Sequence, residues 1–209
     1  MKVVLFGASG MIGSRILSEL VTRGHSVTAV VRDTTKLPPV DGVTAKQGDC
    51  LDADNVAELV KGSDAVISAY APGFTSLGNL VLATKALIAG LQKAGVRRLL
   101  VVGGAASLEV APGVQLVDTP TFPPDWKGIA LAHRDALAVI KGADLDWTSL
   151  SPAALIEPGV RTGTFRLATD QLVVDEKGDS KISAEDFAVA MVDELEKGVH
   201  VRQRFTVGY

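Results

Sequence analysis

Gly7-Ala8-Ser9-Gly10-Met11-Ile12-Gly13 sits between an apolar run, Val3-Val4-Leu5-Phe6, and a stripe at helical spacing, Ile12, Ile16, Leu17, Leu20 and Val21. A buried strand, a glycine turn and an amphipathic helix therefore follow one another at the head of the chain. Three glycines at such a junction have separate physical uses. The first permits the tight turn, the second lets backbone approach an anion, and the third lets the helix lie against the strand. The helix then points its free N–H groups and positive dipole end at a pyrophosphate. The Gly-x-x-Gly-x-x-Gly spacing departs from the Gly-x-Gly-x-x-Gly dinucleotide fingerprint, but the strand before it and the helix after it supply the required context. A merely tight connection is the plain alternative.

Outward from the turn, short Val/Ile/Leu-rich runs alternate with longer helical patterns. Strands are predicted at about 2–7, 26–31, 43–47, 64–69, 97–103, 145–150 and 203–208, and helices at about 11–23, 52–60, 76–94, 127–141 and 183–197. This alternation predicts an α/β chain: a Rossmann-like doubly wound parallel sheet flanked by helices, forming one domain over residues 1–209. The strands show no in/out alternation, as expected when helices cover both sheet faces. Gly24 and Gly95 mark helix ends, and Ser183-Ala184-Glu185-Asp186 reads as a helix start with acids in its first turn. Two stretches break the pattern. Residues 105–126, with Pro112, Pro120, Pro123 and Pro124, read as an ordered loop over the site. Residues 157–174 read as a short hairpin-like excursion.

Bulk properties exclude several classes. The chain has 209 residues, 47% of them hydrophobic, and a net charge of −3, with no basic stretch to neutralise a row of phosphates, so no nucleic-acid partner is expected. Cys50 is the lone cysteine, which excludes an internal disulfide and a cysteine-based zinc site; no metal site is expected. No long apolar run suggests a membrane span, and the glycine-interrupted N-terminal run does not read as a signal peptide. A cytoplasmic protein is the expectation.

In a doubly wound sheet the ligand lies across the carboxyl ends of the strands, so the residues just after each strand are the candidates. After strand 2 comes Arg32-Asp33. An arginine there accepts a 2′-phosphate, whereas an acid binds free ribose hydroxyls; Arg32 coming first favours NADP(H) over NAD(H). After strand 3, Asp49 and Cys50 are candidates for the adenine end, although Asp49 equally suits a turn and Cys50 suits plain burial. After strand 4, Ala69 and Tyr70 lie where the riboses pass. Gly103 and Gly104 after strand 5, and Pro152 and Ala153 after strand 6, would lie at the nicotinamide half.

The glycine turn, Val31-Arg32-Asp33, Gly48-Asp49 and Ser151-Pro152-Ala153 together resemble the atypical short-chain dehydrogenase/reductases. More narrowly, the chain resembles the NmrA-like, NAD(P)-binding group that includes NADH-flavin reductases. The segments from Val101 to Glu109, Leu116 to Pro120, Asp146 to Pro152 and Arg202 to Thr206 extend the likeness through nearly the whole chain. The resemblance implies an NAD(P)-binding oxidoreductase or, by the family's other usual label, an epimerase/dehydratase. One departure matters. The Tyr-x-x-x-Lys pair of most short-chain dehydrogenases is absent, since Tyr70 is followed by Phe74 and Tyr209 ends the sequence. In flavin and biliverdin reductases of similar build, a histidine stands near the place of His133.

Hydride transfer to an isoalloxazine or quinone needs mainly stacking and positioning, because the acceptor delocalises negative charge. His133 and Ser107 are the candidate catalytic residues. His133 would supply a proton or hydrogen bond near neutral pH, and Ser107 would hydrogen-bond substrate, with a helix contact and a turn cap as their structural alternatives. Phe74, Phe122 and Trp126 would wall an aromatic pocket. The leading expectation is a reductase of a small planar acceptor, with flavin as substrate rather than tightly bound cofactor. A non-catalytic NAD(P)-binding redox sensor is the alternative, and an epimerase or dehydratase ranks third. The Ala/Leu face of helix 76–94 suits either a monomer or a homodimer.

Overall fold

Along the first strand, Val3 and Leu5 bury toward one side and Val4 and Phe6 toward the other. A strand covered by helices on both faces must read as an unbroken apolar run, and this one does. The computed structural model describes residues 1–37 and 39–209. In chain order its elements are β1 (Lys2–Phe6), α1 (Met11–Thr22), β2 (Ser26–Val31), β3 (Val43–Gln47), α2 (Ala53–Val60), β4 (Ala65–Ser68), α3 (Asn79–Ala94) and β5 (Arg98–Val102). They continue with β6 (Glu109–Ala111), β7 (Val114–Gln115), α4 (Pro124–Lys141), β8 (Asp146–Ser151), β9 (Leu155–Glu157), β10 (Arg166–Ala168), β11 (Lys181–Ser183), α5 (Ala184–Lys197) and β12 (Gln203–Gly208).

The main sheet has eight strands in the order β3-β2-β1-β4-β5-β8-β12-β10. Every neighbouring pair is parallel except the outermost, where β10 runs antiparallel to β12. Strand order reverses between β1 and β4, which opens a crevice at their carboxyl ends. Ile16, Leu17 and Leu20 of α1 and Phe187, Met191 and Leu195 of α5 build the core on one face. Val56 and Val60 of α2, Leu87 and Leu91 of α3 and Ile140 of α4 build it on the other.

The helix signals act as expected. Gly95 closes α3 with φ +72°. The Ser183 hydroxyl accepts the Asp186 N–H at 3.0 Å and so caps α5. Helix α4 starts at Pro124 rather than 127, because proline with its fixed φ suits a first helical turn. Both irregular stretches carry more structure than the sequence shows. Residues 105–126 hold two single-turn helices, at Ala105–Ser107 and Leu116–Asp118, and the β6–β7 pair. Residues 157–174 form no hairpin of their own. Instead β10 extends the main sheet, while β9 pairs with β11. Strands of three residues are too short to show a period, so pairing decides them.

Candidate active site

Gly7 leaves β1 with φ +79°, in the left-handed region that a side chain disfavours. A Cβ there would also lie 2.5 Å from the Ala69 carbonyl oxygen. At Gly13 a Cβ would meet the Gly7 carbonyl oxygen at 2.0 Å, so the first turn of α1 rests directly on the loop. Gly10 differs: its Cβ would meet only the Gly7 oxygen, at 3.4 Å, and the space above it is open. Ala8 is wholly buried under the turn, whereas Ser9, Gly10 and Met11 are exposed and Ile12 is half-buried. No side chain caps α1, and no acid stands in its first turn. The leading N–H groups therefore face the crevice with their positive dipole end, and the cradle fits a pyrophosphate.

At the carboxyl end of β2 the two charges part company. Asp33 accepts the Thr35 N–H at 3.1 Å and the Thr35 hydroxyl at 2.6 Å, capping the short turn Thr34–Lys36. These bonds hold its carboxyl below the usual carboxylate range. Arg32 is exposed, and among the described residues it makes no ion pair. After β3, Asp49 accepts the Leu51 N–H at 2.9 Å, and its own N–H donates to the Asn55 side-chain oxygen at 2.9 Å. Asp49 is thus a turn-forming residue at the crevice rim, and Asp52 is the cap of α2. Cys50 is buried in the core beneath them. Burial, with the Asp49 charge second, pushes its thiol up to about 12. Its side chain packs in the core, so any contact of Cys50 with a ligand in the crevice would come from its backbone.

The other half of the crevice gathers the remaining candidates. The Ala69 N–H donates to the Phe6 carbonyl at 2.9 Å, tying the β4 end to β1. Half-buried Tyr70, Gly103, Gly104, Ser107 and His133 all border a cavity of about 30 Å³, which Leu137 and Ile140 of α4 close from below. A space of this size holds one or two waters among polar partners. A Cβ on Gly104 would lie 2.8 Å from the His133 Cβ, so the glycine is what admits that side chain. Burial lowers the His133 imidazole to about 4. That shift favours the uncharged imidazole at neutral pH, which leaves the hydrogen bond as the simpler of the two roles expected of it. Ser107 is buried; its hydroxyl and carbonyl both accept from Arg204 of β12, at 2.9 and 3.0 Å, and Arg204 also pairs with Asp170. Pro152 and Ala153 are buried at the end of β8.

Sequence reading missed Arg204, Thr84 and Ser149. Ser149 and Ser151 alternate with Leu150, and both line the cavity. Hydroxyls at alternate positions of a strand buried on both faces were the available signal. Among the described residues, no group of three or more His, Cys, Asp and Glu side chains is placed to hold a metal. No helix among them is long and apolar enough to cross a membrane.

A doubly wound sheet with an uncapped, glycine-lined helix start at its switch point defines a dinucleotide-binding protein. The chain belongs to the NAD(P)H-binding family, which it matches over residues 7–197. It is 44% identical to the uncharacterized protein YwnB of Bacillus subtilis, over 99% of this chain and 98% of that one. Among solved structures, a candidate exported protein from Burkholderia pseudomallei is 52% identical with a TM-score of 0.92, covering 100% of both chains. A candidate NADH-flavin reductase from Streptococcus pneumoniae is 34% identical with a TM-score of 0.89, covering 100% of this chain and 99% of that one. These findings bear out the resemblance stated from the sequence.

Proposed function

We propose that the protein is an NAD(P)H-dependent reductase that passes a hydride to a planar acceptor, a flavin or a quinone. The observation that carries this reading is the end of β5, where Gly103, Gly104, Ser107 and His133 gather at one cavity beside the nucleotide crevice without the Tyr-x-x-x-Lys pair that ketone reduction by this class uses. When bound, the dihydronicotinamide supplies a hydride and leaves oxidised. The acceptor takes the electron pair, and its proton comes from water. Gly103 and Gly104 let the Ser149 and Ser151 hydroxyls and the His133 side chain pack against the β5 end, and the His133 imidazole offers a hydrogen bond at the edge of a flat ring lying there. The Ser107 hydroxyl, held by Arg204, is fixed in orientation for a second.

We further propose a preference for NADP(H). Arg32 at the β2 end makes no ion pair among the described residues, whereas the Asp33 carboxylate that would favour a free ribose is engaged by Thr35. The cytoplasmic setting and a monomer or homodimer remain part of the same reading.

The test is spectrophotometric. Loss of NADPH absorbance on adding FMN, FAD or menadione supports the proposal, with NADH slower. Nucleotide binding without turnover over a broad acceptor panel would support the redox-sensor alternative instead.

A further inference from the structure

Phe74 and Trp126 are 61% and 57% exposed, yet they touch each other edge to face, with ring centroids 5.5 Å apart and planes at 73°. They come from different segments, the loop that leaves β4 and the first turn of α4. Two large aromatic rings brought together across segments and left open to solvent make a surface that a ligand can cover.

Their place in the fold says which ligand. Helix α4 follows β5 in a crossover between parallel strands, so its amino end lies at the carboxyl edge of the sheet. His133 meets Gly104 at that edge. The turns of α4 before His133 therefore stand above the sheet. Trp126, His133, Leu137 and Ile140 recur at the spacing of one helical stripe, and the last three border the cavity. Trp126 is two turns before His133, a rise of about 10 Å along the axis. That span is comparable with a fused three-ring plane. The loop carrying Phe74 is braced against the same helix, since a Cβ on Gly128 would lie 2.7 Å from Leu77 Cδ1. The two rings are thus a wall with a fixed foundation.

We propose that Phe74 and Trp126 form the docking edge for the ring system of the acceptor, and that they set a preference for extended planar aromatic acceptors. The proposal deepens the reductase reading and rests on it. The aromatic faces would stack against the outer rings of the acceptor while its reacting ring lies near His133.

The test measures binding apart from turnover. FMN is titrated into protein loaded with NADP⁺, which cannot donate a hydride, and flavin fluorescence gives the affinity. Tryptophan emission is followed in parallel, because Trp126 is exposed while Trp147 is only 5% exposed. Saturable quenching is expected in the wild type. Trp126→Ala and Phe74→Ala should each weaken FMN binding by about tenfold, and Trp126→Phe should retain most of it. NADP⁺ affinity by calorimetry and the melting temperature should stay unchanged. FMN affinity unaltered in both alanine variants, with NADPH turnover intact, would overturn the docking edge and leave the reductase standing. No binding and no reduction of any planar acceptor by the wild type would sink both. A concentration-dependent dimer abolished by Trp126→Ala, with FMN affinity unaltered, would assign the pair to an interface between copies and overturn the proposal.

Discussion

Gly13 and Gly7 are the residues whose side chains would cost most. A methyl group at Gly13 would lie 2.0 Å from a backbone oxygen, and neither partner is a flexible tip. Gly13→Ala should destabilise the fold by about 1–3 kcal/mol, visible as a lower melting temperature, and should sharply weaken NADPH binding in calorimetry. Arg32→Asp should lower NADPH affinity by about tenfold or more and leave NADH binding nearly unaltered, because only the 2′-phosphate is lost as a partner. His133 gives a pH signature. The folded chain keeps its imidazole neutral down to about 4, whereas an unfolded chain takes up that proton near the ordinary 6.5. Between these values the unfolded state binds more protons, so stability falls as pH drops through the window, by on the order of 1–3 kcal/mol. His133→Gln should flatten the pH dependence of the urea midpoint between pH 6.5 and 4. The glycine turn was legible because it answers a backbone demand that only glycine meets. The engagement of Asp33 by Thr35 was not, since it depends on a local turn that no periodicity reports.

At the scale of elements, the polar pins that hold the 157–174 excursion decide its order. The Asp186 carboxylate is wholly buried, and it accepts the Thr162 and Gly163 N–H groups at 2.8 Å each. It also accepts the Thr162 hydroxyl at 2.5 Å and the Tyr209 hydroxyl at 2.8 Å. Asp186→Asn replaces an acceptor with a donor among four donors and should cost about 1–3 kcal/mol. Its local signature would be faster amide exchange at residues 159–166. Ser183 was readable as the cap of α5 from its position ahead of two acids. The pins were not, because Thr162 and Asp186 come together only through the tertiary fold. Helices and central strands were legible to within a few residues, since each buries several side chains at one period. β9, β10 and β11 were not, because three residues carry no period and their pairing partners lie far along the chain.

For the molecule as a whole, nucleotide binding should act as a brace. The crevice joins the ends of β1, β2, β4 and β5, so a ligand lying across it links both halves of the sheet. With NADPH at one hundred times its dissociation constant, the folded state gains about 2.7 kcal/mol, or roughly 5–10 °C in melting temperature for a chain of this size. Differential scanning calorimetry at matched concentrations should show a smaller gain with NADH. The site as a constellation was only partly legible. Residues just after strands were found because the fold places them at the crevice, but Ser149 lines the cavity from within a strand and Arg204, also within one, acts only by holding Ser107.

The contact between Gly104 and His133 ties the genetics of two distant positions together. A methyl at 104 and the β-carbon at 133 compete for the same volume, so Gly104→Ala should be deleterious alone and should be suppressed by His133→Gly, though not by His133→Ala. In a mutational library screened for folded protein, larger residues at 104 would then surface only in company with glycine at 133. The imidazole is in this sense an inheritance that the glycine makes possible: a lineage that abandons the glycine loses the freedom to keep the imidazole.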